Sequence, residues 1–239
     1  MNPGTAALAR GLDVLELLGD EPTGAGLGVV RLAELRGDDK SQLSRTLATL
    51  AEHGYVERDP ETLAYRLGWR VFGLAARAGD ARLLAAAPPV MRELVRELDE
   101  SVHLSVRQGG FVLTLLAEVP SHALHAPGRV GRLTPVATTS AGRALVSELE
   151  PDELAALGLE ALSPVLADVR ACGYAIVREE FEPGLVAAAA AIRGAADAIV
   201  AALNVSGPRF RLGDRLEDAA ARVAAAAAEL SRAIGGESR

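Results

Sequence analysis

The sequence predicts an α+β chain with an amino-terminal winged helix-turn-helix, a linker helix and a carboxyl-terminal domain with a central antiparallel sheet. Three observations predict it. Three helical stretches lead into a β-hairpin within residues 1–67, strand-period runs recur between Val102 and Val205, and the chain closes on a long amphipathic helix. At 239 residues there is enough chain for more than one core. The expected division is 1–67 for the winged domain, 68–84 for the linker helix and 85–239 for the second domain.

Leu8, Leu12, Leu15 and Leu18 repeat at helical spacing and predict the first helix, and Val29 to Leu35 a short second one. A tight Arg36-Gly37-Asp38 connection leads to the third. Asp39 is a capping residue, Gln42 stands where a capping box would close, and Gly54 supplies a left-handed stop after His53. Leu43, Leu47 and Leu50 share one face, while Ser41, Gln42, Arg45, Ala48 and Thr49 fall on the other. That outer face is short, hydrogen-bonding and cationic, as a helix in the major groove requires: Arg pairs with guanine, Gln with adenine, and Ser or Thr reach phosphate or base edges. After Gly54 the period becomes strand-like, with Tyr55 and Val56, a turn at Asp59-Pro60-Glu61-Thr62, then Tyr65 and Leu67. A hairpin in this place is a wing, and the third helix is the one that enters the groove. Lys40, Ser41, Gln42, Ser44, Arg45, Thr46 and Thr49 on that helix, with Arg58 and Arg66 on the wing, are the candidate contacts to double-stranded DNA.

Trp69 to Gly79 continues as a helix with Val71, Phe72, Leu74 and Ala75 apolar. Pro88-Pro89 is expected to open another, from Val90 to Leu98. Val102, Leu104 and Val106 then alternate with polar residues, Gln108-Gly109-Gly110 turns, and Phe111 to Val119 returns. His122 to Val130 has no period and reads as a loop. A helix is expected from about Thr139 to Leu149, and another ending near Cys172-Gly173. Tyr174 to Val177, Val186 to Ile192 and Ala198 to Val205 read as strands. Leu216, Ala220, Val223, Ala227, Leu230 and Ile234 keep one face of a final helix. An open face of the sheet would be a natural ligand pocket.

Net charge is −7, which argues against broad adhesion to nucleic acid. Residues 1–67 hold seven Lys and Arg against eleven Asp and Glu, although Lys40, Arg45, Arg58 and Arg66 lie on the third helix and wing. DNA-binding domains are usually basic, so modest non-specific affinity and a salt-sensitive specific complex are expected. No apolar run is long and uncharged enough to span a bilayer, and a secretory signal pattern is missing, so no membrane partner and a cytoplasmic location are expected. The one cysteine, Cys172, is expected to be a packed small side chain.

Across almost its whole length the chain resembles the IclR family of bacterial transcription regulators. The motifs are LARGLDVLELL, DKSQLSRTLATLAEHGYVERDPETLAYRLG, GRLTPVATTSAGRAL, GYAIVREEFEPG and VAALNVSGP, in that order. The resemblance implies a GAF-like effector-binding second domain, homodimers that often pair as tetramers, operator DNA as partner and a small-molecule effector. It puts effector contacts at Val177, Ala187, Asn204 and Ser206, with Gly131 and Leu133 from a loop. Where relatives commonly have an acid, Cys, Ser and Pro, this chain has Val177, Ala187, Asn204 and Ala191. Losing a carboxylate and a thiol leaves fewer partners for a compact hydrophilic acid. The expected effector therefore has an apolar or aromatic body and one polar end, met by Asn204 and Ser206.

Two other readings compete for the chain as a whole: a regulator with a degenerate, ligand-free pocket, and a protein-interaction module whose winged domain contacts protein, which the acidic balance favours. No enzyme, cofactor or metal is expected. His122 and His125 share a loop at metal-ligand spacing with Glu118 nearby, but a solvated loop is the simpler account. The acidic run Arg178-Glu179-Glu180-Phe181-Glu182 reads as a turn before Pro183-Gly184 and not as catalytic carboxylates.

Overall fold

The computed structural model describes residues 3–21, 24–75, 81–122 and 130–235. They form two compact units, 1–81 and 82–239.

In the first unit, α1 (Pro3–Gly19), α2 (Val29–Arg36) and α3 (Lys40–Glu52) precede a two-stranded hairpin of β1 (Val56–Arg58) and β2 (Tyr65–Leu67), then α4 (Trp69–Ala75). Val14, Leu18, Leu32, Leu43, Leu47, Val56 and Tyr65 are buried together, so all three helices and both strands meet in one core. Leu8 and Leu12 do not join it, being 66% and 54% exposed. Val14 takes their place because the face of α1 that meets α3 carries Gly11, Val14 and Leu18. The linker reading to Gly79 passes at 76–80 outside the described residues.

The second unit opens with α5 (Ala81–Leu98), which runs unbroken through Pro88 and Pro89. The prolines do not start this helix. Leu83, Ala87, Met91, Leu94 and Leu98 make one buried stripe spanning them, and that continuous packing outweighs the lost backbone hydrogen bonds. Next come β3 (Ser101–Gln108), β4 (Phe111–Glu118), β5 (Leu133–Pro135), α6 (Ser140–Leu145), α7 (Pro151–Ala156), α8 (Ser163–Cys172), β6 (Ala175–Arg178), β7 (Leu185–Arg193), β8 (Ile199–Pro208), α9 (Arg209–Leu212) and α10 (Leu216–Gly235). The six strands form one antiparallel sheet in the order β5-β4-β3-β8-β7-β6.

The helix expected from Thr139 to Leu149 is shorter. Thr139 caps it through its hydroxyl, and it stops at Leu145, before Pro151 starts α7. Cys172 ends α8 beside Gly173 as expected, but its side chain is exposed and not packed. The last turn of α8 buries Val169 instead.

One face of the sheet is closed by α5 and α10, where Leu104, Ile192, Leu203, Val223, Leu230 and Ile234 are fully or almost fully buried. The other carries α6 and α8 over Val112, Ala189 and Ala202. Ala188, Ala189 and Ala190 are buried on alternate faces of β7, and such small residues let helices approach the strand closely on both sides. α6 and α8 cover only part of their face, and the uncovered part is a cavity.

Candidate nucleic-acid interface and ligand pocket

Asp39 caps α3 by accepting from the backbone N–H of Ser41 at 2.9 Å and of Gln42 at 3.2 Å. The hydroxyl of Ser41 and those two amides hold its carboxyl below its ordinary range. The capping box does not close. Oε1 of Gln42 instead accepts from Nη2 of Arg10 on α1 at 2.8 Å. Arg10 also reaches Asp38 at 3.1 Å, Arg36 reaches Asp38 at 2.7 Å, and Arg36 pairs with Asp13. The α2–α3 turn is thus tied to the first helix by a small ionic network.

From α3, Lys40, Ser41, Gln42, Ser44, Arg45 and Thr49 are exposed, and Thr46 is half-buried. The hydroxyls of Thr46 and Thr49 donate to the carbonyls of Gln42 and Arg45, both at 3.2 Å. On the wing, Arg66 faces Glu57 across the strands and pairs with it at 3.2 Å, and Arg58 lies over the Tyr65 ring at 5.6 Å. Both wing arginines therefore have local partners, which the sequence did not reveal. Both sit at the surface, where such contacts exchange cheaply for phosphate. The wing's turn is held by Asp59, whose Oδ1 accepts from the amides of Glu61 and Thr62.

In the second unit a cavity of about 390 Å³ opens over the sheet face that α6 and α8 leave bare. Strand register builds its floor. Val177, Ala187 and Ser206 stand side by side on β6, β7 and β8; Asn204 pairs with His103, Ser105 with Thr114, and Val112 with Thr134. All nine side chains line the cavity. Gly131 and Leu133 do not. Side chains on β5 alternate, so Thr134 faces the cavity beside Val112 while Leu133 beside Leu113 is 49% exposed. Gly131 instead donates its amide to the Thr114 carbonyl at 2.9 Å.

The rim comes from residues the sequence did not place in a ligand site. Phe181, Pro183 and Gly184 of the β6–β7 loop meet Pro208 and Phe210 at the start of α9. Two of the chain's four phenylalanines thus stand at one opening. The acidic run anchors this loop. Glu180 pairs with the buried Arg143 of α6, and Glu179 accepts from Arg209 at 2.6 Å and from the Gly184 amide at 2.8 Å. The Gly184 amide is the largest influence holding the Glu179 carboxyl below its ordinary value.

The metal reading of the His122 loop finds other partners for its members. Nε2 of His122 lies 2.9 Å from the Asp99 carbonyl, Glu118 pairs with Arg92 at 3.3 Å, and His125 lies outside the described residues. Among the described residues no group of three potential ligands comes together, and no helix is long and apolar enough to cross a membrane.

Comparison with known proteins bears on both units. Residues 7–60 match the IclR helix-turn-helix domain, and residues 76–232 match the family described as bacterial transcriptional regulator IclR C-terminal. The transcriptional regulator XynR of Escherichia coli is 30% identical, with 98% of each chain covered. The regulator BhcR of Paracoccus denitrificans is 31% identical over 95% of this chain and 87% of its own. An IclR homolog from Microbacterium hydrocarbonoxydans, crystallised with 4-hydroxybenzoate, is 24% identical and shares the fold with a TM-score of 0.81, covering 95% of this chain and 98% of that one.

Proposed function

From the premise that the chain belongs to the IclR family of bacterial transcriptional regulators, with a DNA-binding unit and an effector-binding unit, we propose how each unit works. Ser41, Gln42 and Arg45 read operator bases from α3. Lys40, Ser44, Thr46 and Thr49 on the same helix, with Arg58 and Arg66 of the wing, contact phosphate. The observation that supports this most is the outer face of α3: it is polar and exposed while Leu43 and Leu47 on the inner face are fully buried. Exposed Leu8, Leu12, Trp69 and Phe72 favour a homodimer, with dimers able to pair further. The protein works in the cytoplasm, where its operator is, and catalyses nothing.

The effector lies on the floor formed by Val177, Ala187, Asn204 and Ser206. Its body is apolar or aromatic, and its polar end meets Asn204 and Ser206. Phe181 and Phe210 at the rim support an aromatic face, and a hydroxybenzoate held by a protein of this fold is an instance of that chemistry.

Selection of bound sequences from random duplex tests the first half and should return a two-fold symmetric site. Calorimetry tests the second. 4-Hydroxybenzoate should bind with at least tenfold higher affinity than glyoxylate or pyruvate, and the reverse order would contradict the pocket chemistry.

A further inference from the structure

A second cavity, of about 460 Å³, opens in the effector unit away from the first and shares no lining residue with it. Strand lengths create it. β6 pairs with β7 only as far as Ala189, so Ala190 to Arg193 run on without an outer neighbour strand, with α8 on one side and α10 on the other. Gly173, Ala191, Ala224 and Ala228 keep the walls low.

Three guanidinium groups ring the cavity. Arg193 is committed to both carboxylate oxygens of Glu148 and to Asp197. Arg170 gives Nη1 to the Ser147 carbonyl at 2.6 Å, a neutral acceptor, and adds its charge to that of Arg193 in the field at Glu148 without a hydrogen bond to that carboxylate. Arg232, exposed on the last turn of α10, makes no ion pair among the described residues. Three positive charges therefore converge against Glu148 in the lining and Asp197 beside it, a local excess of one positive charge on a chain whose net charge is −7. Guanidinium forks bind phosphate and carboxylate oxygens in pairs, and a concave, low-walled site strengthens the field they make.

We propose that this cleft binds a small multivalent oxyanion, a phosphorylated or polycarboxylate metabolite, through Arg170 and Arg232 with Arg193 as the fixed third side. Helix α6 joins the two cavities. Ser140 and Ala141 line the effector pocket, and Ala144, with Ser147 and Glu148 just beyond the helix end, lines the cleft. An anion there would be a second input to the same unit.

Amide chemical shifts of the full-length protein, titrated with inorganic pyrophosphate and separately with citrate at constant ionic strength, test this. Saturable shifts are expected at Gly173, Ala191, Ala228 and Ser231, and which titrant gives the lower midpoint assigns the anion to phosphate or polycarboxylate. In Arg170→Gln/Arg232→Gln the midpoint should rise at least tenfold. Arg232→Glu, which breaks no hydrogen bond or ion pair among the described residues, should do the same with an unchanged melting temperature. Absent or non-saturating shifts, or equal midpoints in the variants, overturn the proposal. The titration leaves the effector pocket's reading untouched, because that is scored on the amides of Ala187, Asn204 and Ser206 with 4-hydroxybenzoate.

Discussion

Arg10 on the first helix donates to Oε1 of Gln42 at 2.8 Å, so the side chain proposed to read a base is positioned by a residue of another helix. With Oε1 engaged by Arg10, the amide N–H groups of Gln42 stay available as donors, in an orientation fixed from the first helix. Arg10→Ala frees that side chain and cuts one link to Asp38. Operator affinity measured by fluorescence anisotropy should fall by about 0.5 to 1.5 kcal/mol, the range for one hydrogen bond. The loss should be greatest for sites with the preferred base opposite Gln42. An equal loss on every sequence would mean that Arg10 only stabilises the fold.

Arg45 and Arg66 should separate base reading from phosphate contact. Arg45 is exposed at the middle of the outer face of α3, whereas Arg66 is held to Glu57 on the wing. Arg45→Ala should cost about 1 to 3 kcal/mol on the selected operator and relax the preference at one position. Arg66→Ala should weaken binding evenly across sequences and lower the salt slope by about 1. Titrations at several salt concentrations distinguish the two.

How far the sequence carried these assignments differs between the units. The recognition helix was legible because its information is local: the Asp39 cap, the leucine stripe and the Gly54 stop all lie in or within two residues of one helix. The capping box was not, because the competing partner of Gln42 lies thirty-two residues away on α1. Strand positions Val177, Ala187, Asn204 and Ser206 share one cavity floor, since register fixes neighbours once strand order is known. Phe210 gave no signal because it sits on a four-residue helix with no period of its own, and His103 read only as a polar residue of a strand. Leu133 was placed in the site although the pleat turns it out, because β5 is too short to show alternation in sequence.

Acid should loosen the DNA-binding unit first at its turn. Hydrogen bonding from Arg36, ahead of its charge and that of Arg10, holds the Asp38 carboxyl below its ordinary 3.8, and Asp39 and Asp59 are shifted the same way. Carboxyls depressed in the folded state contribute stability that is complete above the unfolded value and is lost as pH falls through the folded one. Urea unfolding followed by helix content should therefore be flat in this contribution from pH 7 to about 5 and decline below about 4. Asp38→Asn should be less stable than wild type at pH 7 and approach it at pH 3.

Glu100 is fully buried and makes a two-pronged pair with Arg211 of α9, Nη2 to Oε2 at 2.7 Å. Gly207 is the reason it fits, since a Cβ there would lie 2.5 Å from the carboxylate. Gly207→Ala makes the Glu100 carboxylate shift, and weakening its charged hydrogen bonds to the part-exposed Arg211 should cost about 1 to 3 kcal/mol. Denaturant unfolding should show a loss of that order. Because α9 carries Phe210, 4-hydroxybenzoate affinity should fall with it, whereas Gly184→Ala, which meets nothing within 4 Å but strains a φ of +78°, should cost less.

Neighbouring residues on β7 offer a control for the pocket itself. Ala187 stands between Val177 and Ser206 and opens into the cavity, while Ala188, one residue on, is fully buried on the opposite face against the α5–α10 core. The same enlargement should therefore have opposite consequences. Ala187→Leu adds its side chain to empty space of about 390 Å³, so the melting temperature should hardly change while calorimetric binding of 4-hydroxybenzoate is lost. Ala188→Leu forces the extra carbons into close packing, at a cost of about 1 to 3 kcal/mol, and should leave the affinity of the folded fraction near wild type. If Ala187→Leu destabilised as much as Ala188→Leu, the cavity would not be open at that position. If it kept full affinity, the ligand would lie elsewhere.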